Sequence, residues 1–475
     1  MITRTWMRTN AAVAVFAGFA LRIFLVSKFP ATGLGDSPFY IQLARNWLKN
    51  GTYGAVIDGR ITPVDIRVPG YPAFLAAIFA VAGNSQHAVM LAQVLVDLAT
   101  CVLIALIAAR LAPANSRARV AIAGLWLAGL CPFTANYTAA VLTETLVTLL
   151  TALALLLVLE AQAGEFAPVA GSSSQMTISP WFLAGIIGGL GALVRPETPL
   201  LLVAAGLVLL ARWWRPVDWA KLARASVLMG IGLVLPLLPW AARNWRTLHE
   251  AQFLAPRYAN LPGEFVPLGF NAWTRTWLWR YGDVYLVSWK LGDEPISPES
   301  IPASAFDSPE ERDRVADLLE PYNDTLTPTP ETDRGFAEIA RERTARHPLR
   351  TYVEIPILRS LAMWFTPRIE LLPFSGHIFP LRTAWEHDRE DCVVTLTLFI
   401  VNCVYVAVGI AGAWMARGRC GWALLVIFVV LRTLFFAGFI ETPEPRYVLE
   451  CFPAVIASAA QVLAGRNQLS SSGSG

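Results

Sequence analysis

Asp36, in the stretch LGDSPFYIQLARNW, follows closely on an apolar run that closes at Phe29 and Pro30. A carboxylate at the outer end of such a run suits a general base that takes the proton of an attacking hydroxyl. Arg67 comes next, in DIRVPGYP, at the depth where lipid head groups lie, and a guanidinium fork matches the oxygens of a phosphate. Arg243 in PWAARNW and Arg446 in ETPEPRY place two more cations at the ends of apolar runs. One carboxylate base with several arginines is equipment for moving a group from a phosphate leaving group to a hydroxyl.

Supporting residues stand around these: Tyr71 beside Arg67, Glu144 in LTETL, and Arg195 and Glu197 on either side of Pro196. Each also has a plainer reading. Asp36 or Ser37 before Pro38 has the form of a helix N-cap. Arg67 snorkelling and Tyr71 at an interface are ordinary boundary features, as single arginines such as Arg243 and Arg446 are. Glu144 after Thr143 favours a helix N-terminus, and Arg195 and Glu197 can neutralise each other across a proline break. Both readings stay open at this level. Asp36 and Glu144 are a thin set for a hard cation that prefers about six oxygens, so no metal ligand is assigned and a divalent metal stays open. No cofactor is called for, and His249, His347, His377 and His387 lack spacing such as HExxH.

The elements that must position these residues follow from composition. The chain has 475 residues, 55% hydrophobic and 15% charged, with a mean hydropathy of +0.49. Soluble domains carry about a quarter of their residues charged, so a soluble enzyme is disfavoured. A net charge of +3 points to no nucleic-acid partner, and neither a Walker loop nor a strand-linked GxGxxG is present. The six cysteines are scattered without CxxC spacing, which disfavours a zinc site or disulfide framework.

Apolar runs at 11–29, 88–110, 119–137, 144–161, 181–194, 198–211, 225–242, 391–416, 421–440 and 447–464 predict an all-α polytopic membrane protein of about ten spans, two of them short. The stretch 70–83 is too short to cross and is expected as an interfacial or re-entrant helix. With the N-terminus inside, the basic residues of 111–118, 212–224, 417–420 and the tail fall on the cytoplasmic side, while 162–180 has none. The outer face then collects 30–87, 138–143, the bend at 195–197, the region 243–390 and the turn 441–446. Of the 35 acidic residues, 23 lie between 243 and 391, which marks a water-facing portion. The expected organisation is a catalytic membrane module at 1–242 with its first outer loop at 30–87, an extracytoplasmic α or α+β region at 243–390, C-terminal helices at 391–465 and a disordered tail at 466–475. Ser308, Pro309 and Glu311 predict a capped helix over 308–320, and 349–366 predicts a helix lying on the membrane surface.

In order along the chain, LGDSPFYIQLARNWLKNGTYG, TPVDIRVPGYPAFLAAIFAVAG, LTETL, GALVRPE, LPWAARNW and EPRYVLECFPAVIA resemble the integral-membrane GT-C glycosyltransferases. The nearest subgroup is the bacterial enzymes similar to protein O-mannosyltransferases and lipid A aminoarabinose transferase. The resemblance implies an inverting transfer of sugar from a polyprenyl-phosphate donor to a lipid, glycan or protein acceptor, on the outer side of a bacterial inner membrane. It implies Asp36 as the first-loop acid, Arg67 as the donor-phosphate cation, and Glu144 as the acid after the third span. Relatives often show two adjacent acids in the first loop, whereas Ser37 follows Asp36 here, which weakens a two-carboxylate metal site. A carrier or flippase of lipid-linked sugars is the alternative, and it predicts charges spread through the membrane depth. A non-catalytic assembly or sensor protein is a third class, and it predicts a replaceable Asp36.

Overall fold

Backbone amides and carbonyls in a hydrocarbon layer must pair within their own segment, so apolar runs of this length become helices. A computed structural model describes residues 4–164, 178–213, 218–258, 260–261, 264–376, 378 and 380–464. Arg215, His377, most of the loop 162–180 and the tail lie outside them. Among the described residues, seven helices are long and apolar enough to cross a membrane: Arg4–Lys28, Gln86–Leu111, Glu144–Gly164, Trp219–Leu248, Arg389–Met415, Trp422–Phe439 and Pro445–Ala464. Arg117–Gly129 and Pro132–Ala139 form an eighth when taken as one span bent by 45°. The chain is thus an all-α polytopic membrane protein. The two runs expected to be short are helices of 13 and 14 residues, Pro180–Ala192 and Leu200–Trp213, too short to cross alone. The break at Arg195-Pro196-Glu197 separates them, because proline lacks the amide that would continue the ladder.

Two compact units divide the chain: Met1–Arg257, Pro367–Val429 and Leu449–Gly475 form the first, and Tyr258–Thr366 with Val430–Val448 the second. In the first, helix Pro180–Ala192 packs along Trp219–Leu248 through Gly185 and Gly232. A methyl group on either would strike the facing backbone, so only glycine permits this approach. The bend after Gly129 leaves the Gly129 carbonyl without a helical partner, and Arg22 of the first span donates to it. Its Nη1 donates to Gly129 O at 2.8 Å and its Nη2 to Ala128 O at 3.4 Å, while its Nε reaches Asp97 Oδ2 at 2.7 Å. Between the first span and Gln86–Leu111 lie helix Ser37–Asn50, an antiparallel hairpin pairing Gly54–Ile57 with Arg60–Pro63, and helix Gly70–Ala82 of 13 residues. The last matches the short helix predicted at 70–83.

The second unit is helical, with no strand among its described residues. Its core is Trp273, Trp277, Phe270 and Phe336 packed with Val315, Leu319 and Ile339. Helix Pro309–Thr325 starts as its sequence predicts, with Ser308 Oγ accepting the Glu311 amide. The Glu311 carboxylate does not complete the capping box. It pairs instead with Arg343, a fully buried side chain, and with Arg346 at 2.7 Å. Asp307 sits in the same network, bonded to Arg350 at 2.7 Å and 3.0 Å. Burial alone would raise its pKa, but the Arg350 hydrogen bonds and the charges of Arg343, Arg350 and Arg346 hold it below the usual carboxylate range. A depressed folded-state pKa gives stability that is present above the unfolded pKa of about 3.9 and lost as pH falls through the folded value. Thermal unfolding scanned downward from pH 5 should therefore show a falling midpoint, and Asp307→Asn should flatten that slope. An unchanged slope would remove Asp307 as the titrating group.

Candidate functional site

Helix Ser37–Asn50 follows directly from the loop that carries Asp36. Asp36 has helical dihedrals, φ −73° and ψ −6°, and its carboxylate makes no capping hydrogen bond, so the N-cap reading of this side chain does not hold. Its Oδ1 accepts Nη2 of Arg67 at 2.8 Å instead. The two side chains remain 30% and 24% exposed, open enough for a ligand to reach both.

The hairpin and the residues after it fix Arg67. The Tyr53 hydroxyl donates to the carbonyl of Arg67 at 2.8 Å and approaches that of Val68 at 3.3 Å. Gly70 donates its amide to Leu193 O at 2.6 Å, where any side chain would collide. Arg243 braces both sides of this loop: Nη2 donates to Tyr53 O at 2.5 Å and Nη1 to Val64 O at 2.9 Å. Its guanidinium also lies against the rings of Tyr53 and Trp240, 5.4 Å and 5.0 Å from their centroids. The structure thus uses Arg243 to hold the loop that presents Arg67. Trp47, Tyr53, Trp240 and Arg243 line a cavity of about 370 Å³ in the same unit. Tyr53→Phe removes the hydroxyl and leaves the ring. Amide exchange across 64–69 should accelerate in that variant, and unchanged protection would show that the hydroxyl does not hold the loop.

Glu144 opens helix Glu144–Gly164 and is buried. Its Oε1 pairs with Arg195 Nη1 at 3.1 Å. Arg195 Nε lies 2.9 Å from Glu197, the neutralisation expected across the proline, and 3.8 Å from Glu450. Tyr40 links this cluster to the first pair. Burial, then the charge of Asp36, push its phenol up to about 12, while Arg67 and Arg195 pull it down and Glu144 adds to the rise. Tyr71 is fully buried rather than interfacial. Its hydroxyl donates to Gln93 Oε1 at 2.8 Å and its ring packs edge-on to Tyr40.

Asp36 and Arg67 are therefore brought together, Glu144, Arg195 and Glu197 form a second group, and Tyr40 senses both. Arg446 belongs to the second unit, where its Nε meets Glu444 Oε2 at 2.5 Å. The residue types missed from sequence were Tyr40, Tyr53 and Glu450. Tyr40 stands four residues after Asp36 on one helix face, and Glu450 is a carboxylate inside an apolar run, so both carried a readable signal. Tyr53 carried none, because its role depends on the hairpin folding back. Among the described residues, no three His, Cys, Asp or Glu side chains are arranged to hold a metal ion, and Asp36 faces a guanidinium.

Residues 66–240, under half of the chain, match the family model described as dolichyl-phosphate-mannose-protein mannosyltransferase. The match takes in Arg67, Tyr71, Glu144, Arg195 and Glu197. Comparison with curated protein sequences gives no match. Among solved structures, the chain is similar to the archaeal oligosaccharyltransferase AglB from Archaeoglobus fulgidus in complex with an inhibitory peptide and a dolichol-phosphate. Identity is 14% and the TM-score 0.50, over 97% of this chain and 50% of that one. The Archaeoglobus fulgidus oligosaccharyltransferase tethered to an acceptor peptide containing the NVT sequon matches at 13% identity and a TM-score of 0.50, over 97% of this chain and 49% of that one. The chain spans about half the length of the solved structures it matches. What is shared with them is the membrane fold, and the resemblance to GT-C proteins expected from the ordered motifs is borne out.

Proposed function

We propose that this GT-C-type integral-membrane protein is an inverting glycosyltransferase that moves a sugar from a polyprenyl-phosphate donor to a lipid, glycan or protein acceptor. The site faces outside the cytoplasm, in a bacterial inner membrane. The observation that carries this reading is the partly exposed Asp36–Arg67 pair at 2.8 Å, a base beside a phosphate-sized cation.

In an inverting displacement the acceptor oxygen attacks C1 from the face opposite the departing phosphate. The acceptor O–H proton passes to Asp36 as the new C1–O bond forms, and the old C1–O bond leaves its electron pair on the phosphate oxygen beside Arg67. Base and leaving group stand on opposite faces, so the donor phosphate must replace the Asp36 carboxylate on Arg67. Donor binding thereby frees the base for the acceptor. Buried Glu144, Arg195 and Glu197 support the floor of the site, Tyr71 packs beneath Tyr40, and Arg243 keeps Arg67 in register. The cavity lined by Trp47, Tyr53 and Trp240 offers apolar and aromatic walls for the prenyl chain or the sugar face.

The test is sugar release from a radiolabelled polyprenyl-phosphate sugar by the full chain in nanodiscs supplied with cell-envelope acceptors. Arg67→Ala should lower turnover on the order of 10²-fold, the scale of losing one donor to a developing oxyanion. A wild type that releases no sugar from any such donor, yet carries the labelled lipid between leaflets, would sink the transferase reading and favour a carrier.

A further inference from the structure

In the second unit, residues 350–354 form a π-helical turn that runs straight into helix Ile355–Trp364. Two faces of this segment have opposite character. Leu349, Val353, Ile357, Leu361 and Phe365 recur every four residues, and all are exposed. Ile355, Arg359 and Met363 form the other face and are buried. An exposed apolar stripe on a helix whose other face is buried against its own protein suits an element lying in a membrane surface.

The same segment lines a cavity of about 600 Å³ that also contains Arg275, Arg341, Thr344 and Thr351. Alanines and Gly438 make up much of the remaining wall, and no Asp or Glu lines it. Arg359 donates Nε, Nη1 and Nη2 to the carbonyls of Leu278, Ile440 and Glu441 at 2.8, 2.9 and 3.0 Å. Arg275 Nη2 donates to the carbonyl of Gly438. These two cations are thus held by neutral dipoles. Burial, then the charge of Arg275, press the Arg359 pKa down to about 10, with Glu441 opposing. Arg341 has two acids near it, Glu338 at 3.9 Å and Glu342, which pairs with Arg314 at 2.7 Å; these side chains are largely in water, where such pairs are weak. A cavity that gathers three guanidiniums without a lining carboxylate favours an anion. Two threonine hydroxyls, 3.4 Å apart, supply further donors for its oxygens.

We propose that this cavity binds the phosphate of an anionic lipid head group, with the stripe from Leu349 to Phe365 resting against the acyl chains of the same leaflet. The exposed apolar stripe beside the cavity argues for a lipid over a free phosphate ion. The site uses none of the residues assigned to sugar transfer and stands independently of that reading.

The full chain, reconstituted in phosphatidylcholine nanodiscs with a minor fraction of phosphatidylglycerol, is extracted and its retained lipid counted by native mass spectrometry. Wild type should retain phosphatidylglycerol in preference to phosphatidylcholine. Arg275→Gln and Arg341→Glu should each lower that retention on the order of tenfold, the scale of one hydrogen bond to a charged group. Arg341 is exposed, so its variant keeps the test decisive even where a buried arginine variant fails to fold. Equal retention by Arg341→Glu and wild type would overturn the site. Binding of inorganic phosphate in detergent without any phosphatidylglycerol preference in nanodiscs would overturn the lipid as its ligand.

Discussion

Asp36→Asn should leave the protein folded and cut sugar transfer by about 10²–10⁴-fold, the usual worth of a positioned general base. Asparagine is nearly isosteric with aspartate and keeps a carbonyl oxygen that Arg67 Nη2 can still reach, so the loop geometry survives. What it lacks is a basic oxygen for the acceptor proton. Because Asp36 makes no helix-capping hydrogen bond, the substitution does not weaken helix Ser37–Asn50 through a lost cap. Thermal midpoints of the two proteins should agree closely while their turnover with labelled polyprenyl-phosphate sugar diverges. Turnover equal to wild type would remove Asp36 as the base, and a matched fall in both readouts would assign it a structural role.

The second large effect is on stability. Asp97→Ala should destabilise the protein by about 3–5 kcal/mol, because it strands a buried guanidinium. Arg22 is fully buried between the first span and Gln86–Leu111. Removing Asp97 leaves it with the carbonyls of Gly18 and Gly129, each at 2.8 Å, the more distant Ala128 carbonyl, and the Cys101 sulfur at 3.2 Å. The bend after Gly129 leaves the Gly129 carbonyl without a helical partner, so the arginine joins a backbone repair and an ion pair in one side chain. Replacing both partners with apolar residues, Arg22→Met with Asp97→Leu, should recover part of the loss and leave the cost of the unsatisfied Gly129 carbonyl. Unfolding in detergent titrated with a denaturing surfactant reads these differences. A single Asp97→Ala variant within about 1 kcal/mol of wild type would show that carbonyl dipoles suffice for Arg22.

These two residues show where sequence reading stops. Arg22 and Asp97 both interrupt apolar runs, and an ionisable group inside a span is a signal that can be read without a structure. Their pairing, by contrast, joins residues 75 positions apart and depends on how two spans pack. Asp36 and Arg67 were legible as candidates from their neighbours, yet the choice between capping and pairing was not. That choice rests on the backbone at Asp36, which turns its carboxylate away from the helix amides.

Arg243 makes the same point in the opposite direction. Its place at the end of an apolar run allows either a phosphate ligand or a boundary anchor, and the structure adds a third use, bracing the loop that carries Arg67. A hairpin folding over helix Trp219–Leu248 presents the carbonyls of Tyr53 and Val64 to it, and a buried carbonyl without a donor is costly.

Hydrophobicity over twenty residues is a local sum, so the sequence by itself determined the membrane class, the run of helices, the short first-loop helix and the capped start at Ser308. Hydrogen bonds and ion pairs between distant segments depend on ångström-scale placement, which no local sum contains. Tertiary structure alone therefore decided that Asp36 meets Arg67, that Arg243 holds their loop, and that three arginines of the second unit share one cavity.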